Sequence, residues 1–347
     1  MEFKNLRIYQ PDGTFHKGGL ALSGDRIAST PVSADACDMD GLYAIPGLID
    51  IHFHGCAGYD FCDGTEQAIS AIARYQAEHG VCAICPATMT YPEEKLTAVM
   101  QAAAAYRTER SGAALVGVNL EGPFLSPARK GAQNGAWLQN PDAGLFRRLQ
   151  ERAQGLIRLC EIAPELPGGL DVIGDLAGEV RLSLAHTEAD YDTACEAFRR
   201  GAREVTHLFN AMPPLTHREP GVIGAALDND EVGVELISDG CHVHPSAVRV
   251  AFRLFENRIV GLSNILDSEL CRRKPAQWPH REVVGAAVMD GKLFCEILEG
   301  VKAVAGVKAF LILSVAALYL AIVTGRIGAD KFVADAQPDS GDFKEGG

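Results

Sequence analysis

The stretch AIPGLIDIHFHGCAGYDF, residues 44–61, decides how the rest of the chain is read. Leu48-Ile49-Asp50-Ile51 is a short apolar run with the character of a buried strand. It leads straight into His52-Phe53-His54 and a glycine-rich loop. Side chains two apart on a strand leave the same face, so His52 and His54 point together. Neutral imidazole is a good ligand for zinc and for other divalent first-row metals.

Outward from this stretch, the pattern on its two sides differs. Residues 1–45 read as short strands punctuated by Asp12-Gly13 and Gly24-Asp25. After Leu48, short apolar strands alternate with helical segments. TEQAISAIARYQAEHG has helical periodicity and a glycine stop, and it is followed by the strand VCAICPATMT and the helix PEEKLTAVMQAAAAYRTERSG. AALVGVNLEGPF, IRLCEIAPE, VRLSLAHTEA, EVTHLFNAM and VGVELISDG continue the strands, with helices between them. Seven or so such units predict an α/β protein with a closed parallel barrel of the (β/α)8 type. His52, His54, Glu121, His186, His207 and His242 each fall at the C-terminal end of a strand in this reading. Those ends gather at one mouth of a barrel. One histidine there is ordinary; five with a glutamate predict a ligand set, rich in His and carboxylate as catalytic metal sites are.

The 347 residues suit one large domain or two ordinary ones, and 47% hydrophobic with 22% charged residues is a normal globular composition. A net charge of −13 argues against a nucleic-acid partner. It leaves room for a small phosphorylated molecule. Ten cysteines without a framework, and no secretory signal at the N-terminus, predict reduced thiols and a cytoplasmic location. Cys82 and Cys85 fit C-x-x-C but lie in an apolar strand, and are read as core packing.

The segments PGLIDIHFHGCAGYDF, LEGPFLSPARKGAQN, IAPE, AHTEADYDTACEAFRRGAREVTHLFNAMPPLTHREPGVIGAAL and ELISDGCHVHPSAVR carry a resemblance. Over residues 1–262 the chain resembles the N-acetylglucosamine-6-phosphate deacetylases of the amidohydrolase superfamily. The resemblance implies a metal-dependent (β/α)8 barrel over residues 46–262, with residues 1–45 forming the N-terminal part of a small β-sandwich. It implies hydrolysis of the acetamide of N-acetyl-D-glucosamine 6-phosphate to D-glucosamine 6-phosphate and acetate. Glu121, His186 and His207 match the main metal site, and His52 and His54 the ligands of a second metal. Zinc or iron, one or two per subunit, is the implied cofactor. Gln133, Asn210 and Ala211 match substrate contacts, and Arg218 a phosphate contact reaching across a homodimer. His242 matches the residue that orients the acetamide carbonyl.

The resemblance also implies a proton-shuttling aspartate at the end of the eighth strand. After Arg258-Ile259-Val260 that position holds Ser263-Asn264, and the nearest carboxylate in similar context is Asp267. A four-residue slip moves a side chain by roughly 13 Å in an extended chain. Residues 263–347 depart from the family pattern and include an uncharged run, Ala309–Gly325. A membrane span takes about 20 apolar residues, so a buried barrel helix is the simpler reading and membrane association is not expected. A tail translated in a different reading frame is the third reading. Two alternatives to the deacetylase stand beside it. One is a catalytically impaired remnant that binds metal and sugar phosphate without turnover. The other is an amidohydrolase of the dihydroorotase type, although Glu121 stands where those enzymes use a carboxylated lysine.

Overall fold

The computed structural model describes residues 1–10, 14–23, 26–28, 31–108, 111–238, 242–255 and 258–262, and the backbone of 310–313 and 320–323. The N-terminal strands form an open mixed sheet. In it β1 (Glu2–Tyr9) pairs antiparallel with β2 (Phe15–Ser23), which pairs with β3 (Arg26–Ala28). β4 (Cys37–Asp38) and β5 (Tyr43–Pro46) run parallel to β1. Phe3, Leu6, Met39 and Ala44 make a small buried cluster of their own. Ile45, next to Ala44 on β5, belongs instead to the main core. The two faces of β5 therefore serve two cores, as alternation along a strand requires.

From β6 (Leu48–Asp50) onward, strands and helices alternate. A two-stranded hairpin of β7 (Gly55–Cys56) and β8 (Tyr59–Asp60) precedes α1 (Glu66–Glu78). Then come β9 (Val81–Ile84), α2 (Glu93–Ala105), β10 (Ala114–Leu115) and β11 (Val118–Leu120). α3 (Ala143–Arg152), β12 (Ile157–Ile162), α4 (Gly169–Leu176), β13 (Arg181–Leu184) and α5 (Tyr191–Arg200) follow. β14 (Glu204–Val205), α6 (Gly221–Leu227), β15 (Gly233–Ile237), α7 (Pro245–Phe255) and β16 (Ile259–Leu262) end the series. Thr65, Asp142 and Asp190 cap α1, α3 and α5, each accepting a backbone N–H of the first turn.

β6 pairs parallel with β9, and β11 to β16 pair parallel in chain order. β10 and β11 are one strand broken at Val116-Gly117. β10 pairs with β9, and a parallel bridge between Ala87 and Asn119 carries the connection on. Among the described residues, eight parallel strand positions result. Ile51, just past β6, packs against buried Ile237 and Leu262 at the ends of β15 and β16, which brings the first strand's end against the last. This is an α/β TIM-like arrangement of the kind the alternation predicts, although among the described residues no strand pairing joins β16 to β6.

The apolar run Ala309–Gly325 differs from the helical expectation. Its described residues form β17 (Phe310–Leu313) and β18 (Leu320–Val323), paired antiparallel. β17 runs parallel to β5, with Phe310 opposite Tyr43, and so extends the N-terminal sheet. Among the described residues no helix is long and apolar enough to cross a membrane. Cys82 and Cys85 are buried, and no described cysteine is disulfide-bonded.

Candidate metal centre

Glu121 directly follows the third barrel strand, which ends at Leu120, and is buried. The chain leaves it through Gly122, whose φ is +86°. A Cβ at Gly122 would stand 2.2 Å from Thr90 Oγ1, so only glycine fits this turn. His186 and His207 follow β13 and β14 by two residues each, with φ of +45° and +34°. Left-handed backbone at two non-glycine residues is costly, and such strain concentrates at functional sites. It aims both rings at Glu121. His186 Nε2 lies 2.9 Å from Glu121 Oε1 and 3.1 Å from His207 Nε2.

The second pair arrives from the first strand. β6 ends at Asp50, so His52 and His54 sit beyond the strand rather than on it. A bend at the strand end still turns both toward one carboxylate. His54 Nε2 is 3.1 Å from Glu121 Oε2, and His52 Nε2 is 3.7 Å from Glu121 Oε1. Phe53 between them is fully buried on the core side.

Hydrogen bonds at the far side of the rings settle the tautomers. His186 Nδ1 donates to the Arg129 carbonyl at 2.8 Å, and His207 Nδ1 to the Asn210 carbonyl at 3.1 Å. A carbonyl can only accept, so each Nδ1 carries hydrogen and each Nε2 keeps its lone pair for the centre. Two such lone pairs and a carboxylate oxygen within 4 Å repel one another unless a cation lies among them. Glu121 Oε2 and His54 Nδ1 are buried with no hydrogen-bond partner. Glu121, His186 and His207, and separately His52, His54 and Glu121, place one ligand atom each within 4.8 Å of one another. The donor set fits one divalent cation, or two sharing Glu121.

The charges respond accordingly. Burial pushes the Glu121 carboxyl up, but the imidazoles packed around it, His54 first and then His186, His207 and His52, overcome it and hold it well below the usual range. Burial lowers His54 and His186, and the Glu121 carboxylate outweighs it, so both are raised. Burial dominates at His207, which is lowered, and at His52, which falls to about 4.

The remaining residues singled out in the sequence divide. Asn210 is half-buried and spends its side-chain amide on the His207 and Leu208 carbonyls at 3.3 Å. Ala211, with φ +52°, accepts a backbone bond from Thr187. Both shape the loop beside the two histidines. Gln133 is buried, and its side-chain oxygen accepts from the Thr90 backbone at 2.6 Å. Arg218 is exposed. His242 is exposed and stands five residues beyond β15, not at the strand end the sequence predicts. Asp267 lies outside the described residues.

Three buried groups escape the sequence reading. Glu235 Oε2 lies 3.0 Å from His52 Nδ1, and Glu161 Oε1 lies 3.5 Å from the same atom. Asn119 donates to Glu161 Oε1 at 3.0 Å. A glutamate inside the apolar strands IRLCEI and GVELI was the available signal, since buried carboxylates are rare without a partner.

The sequence profile of the amidohydrolase family matches residues 43–284. The chain belongs to the amidohydrolase family. The match runs past Leu262, where the motif-by-motif resemblance stops. The chain is 40% identical over 261 residues to the N-acetylglucosamine-6-phosphate deacetylase of Bacillus subtilis, covering 72% of this chain and 66% of the relative. It is 32% identical to an N-acetylgalactosamine-6-phosphate deacetylase of Escherichia coli, covering 76% and 70%. In structure it is similar to an aspartate-to-alanine variant of N-acetyl-D-glucosamine-6-phosphate deacetylase from Mycobacterium smegmatis, solved with N-acetyl-D-glucosamine-6-phosphate. The TM-score there is 0.69 at 31% identity, over 76% of this chain and 70% of the other. The chain spans less than two thirds of the length of two curated deacetylase relatives, 66% of the one from Bacillus subtilis and 59% of one from Vibrio furnissii.

Proposed function

We propose that this amidohydrolase removes the acetyl group of N-acetyl-D-glucosamine 6-phosphate, releasing acetate and D-glucosamine 6-phosphate. The observation that carries this reading is the convergence of His52, His54, His186 and His207 on Glu121 at the strand ends of the barrel. Zinc or iron is the proposed ion, held by Glu121, His186 and His207, with a second position at His52 and His54. A divalent cation there supplies Lewis acidity toward the acetamide carbonyl and acidifies a water.

The chain's own residues do the rest. Asn210 and Ala211 hold the loop against which the sugar phosphate rests, and Gln133 donates from its amide. His242 polarises the carbonyl from the loop after β15. Arg218 offers a planar guanidinium for the phosphate, and its exposure suits a reach into the neighbouring subunit of a homodimer. An aspartate, Asp267 in this reading, carries the proton to the departing amine. The enzyme acts in the cytoplasm, where its phosphorylated substrate is held. The test is acetate release from N-acetylglucosamine 6-phosphate, with the galactosamine epimer run beside it, after addition of zinc or ferrous ion. Release no greater than that of His207→Ala rules the activity out.

One observation favours the impaired alternative. β16 ends at Leu262, and the next four residues, Ser263 to Leu266, include no carboxylate. An amide at Asn264 cannot take and return a proton. A chain that binds metal and is stabilised by the sugar phosphate, yet releases no acetate, fits this second reading.

A further inference from the structure

We propose that Glu235, backed by Glu161, is the positioning residue that holds His52 as a ligand and thereby supports the second metal position. The inference rests on the two-metal reading of the site above.

Three barrel strands meet at the His52 ring. His52 follows β6, Glu161 lies on β12 and Glu235 on β15. Glu161 and Glu235 are fully buried. Glu235 Oε2 approaches His52 Nδ1 to 3.0 Å, and Glu161 Oε1 to 3.5 Å. Both acids thus face His52 Nδ1, and the opposite nitrogen, Nε2, faces Glu121 Oε1 at 3.7 Å. Turning the ring over would present carbon to both acids and strip each of that contact.

Two buried acids in a barrel interior are costly unless something compensates them. Glu161 takes one hydrogen bond from Asn119, yet Glu161 Oε2 and Glu235 Oε1 have no partner. The His52 imidazole touches both. A carboxylate behind an imidazole raises its basicity as a ligand and fixes its orientation, and loss of such a partner weakens metal binding about 10- to 100-fold. His186 and His207 lean on backbone carbonyls that no substitution removes. His52 leans on side chains, so substitution behind the ring can reach its metal position directly.

The experiment measures metal equivalents and stepwise zinc affinities by elemental analysis and competition titration. Wild type, His52→Ala, Glu235→Gln, Glu235→Leu and Glu161→Gln are compared. Expected are two equivalents in wild type and one in His52→Ala. In Glu235→Leu the second equivalent weakens about 10- to 100-fold, and in Glu235→Gln by a smaller factor, because a side-chain amide keeps a polar contact with Nδ1. The first equivalent stays within threefold of wild type in both. Two wild-type-like equivalents in Glu235→Leu overturn the positioning role alone. A single equivalent in wild type, unchanged in His52→Ala, overturns the two-metal reading and the role with it. Loss of both equivalents in Glu235→Gln and Glu235→Leu also overturns it, since positioning of His52 spares His186 and His207.

Discussion

The two histidine pairs that meet Glu121 are built to different standards. On one side, His186 and His207 have left-handed backbone, and their Nδ1 atoms are tied to main-chain carbonyls. On the other, His52 is tied to two buried acids, and His54 Nδ1 is buried without a hydrogen bond. The first pair is preorganised by the path of the chain, the second by side chains that must themselves be kept in place. Four similar ligands can therefore differ in how firmly each is held, and among the described residues Glu121 is the member both groups share.

Removing that shared member breaks the comparison most completely. Glu121→Ala should empty both positions and lower acetate release by roughly a thousandfold, the equivalent of about 4 kcal/mol. Metal content and release are both read against wild type. His54→Ala separates the pairs. It should cost the second metal equivalent while leaving the first, with release within about tenfold of wild type in an enzyme that needs one ion.

Glu165 sharpens the other side. Its carboxylate accepts from Thr187 Oγ1 at 2.5 Å and from the Glu188 backbone at 2.6 Å, bracing the two residues after His186. Glu165→Ala should weaken the first metal equivalent about tenfold and spare the second, the reverse of the Glu235 variants. A competition titration distinguishes the two patterns.

The smallest effect is expected away from both pairs. Burial lifts the Glu204 carboxyl to about 7, against the pull of Arg181, whose Nε donates to it at 2.5 Å. Between about pH 4.5 and 7 the folded chain keeps a proton that the unfolded chain has lost. This group's contribution to stability therefore declines as pH rises through that window and is level above it. Denaturant titration of metal-free protein at pH 5 and pH 8 should show that decline. Glu204→Gln should reduce it while leaving both metal equivalents in place.

The alternation of elements and the Glu121, His186 and His207 set were legible because each rests on a local pattern. Apolar strands between amphipathic helices announce βα units, and a His or Glu at a strand's end announces a barrel mouth. Features set by non-local contacts were less legible. His52 and His54 reach Glu121 from beyond β6, and His242 follows a longer loop, because strand ends depend on neighbouring strands. Glu161 and Glu235 looked like ordinary strand residues until three strands brought them to one ring. The run at 309–325 has no period that separates helix from strand, so its length favoured a helix, whereas its described residues pair as strands.

The parallel pairing of β17 with β5 also orders events in time. Tyr43 leaves the ribosome long before Phe310, yet the two stand opposite each other in one sheet. The barrel strands, emerging between them, can assemble while the outer edge of β5 is still bare. An uncovered edge is where strands from other chains attach. Synthesis that pauses or stops before residue 310 would thus leave a chain with most of its barrel and an open seam, and late translation becomes the interval in which this protein is most exposed to aggregation.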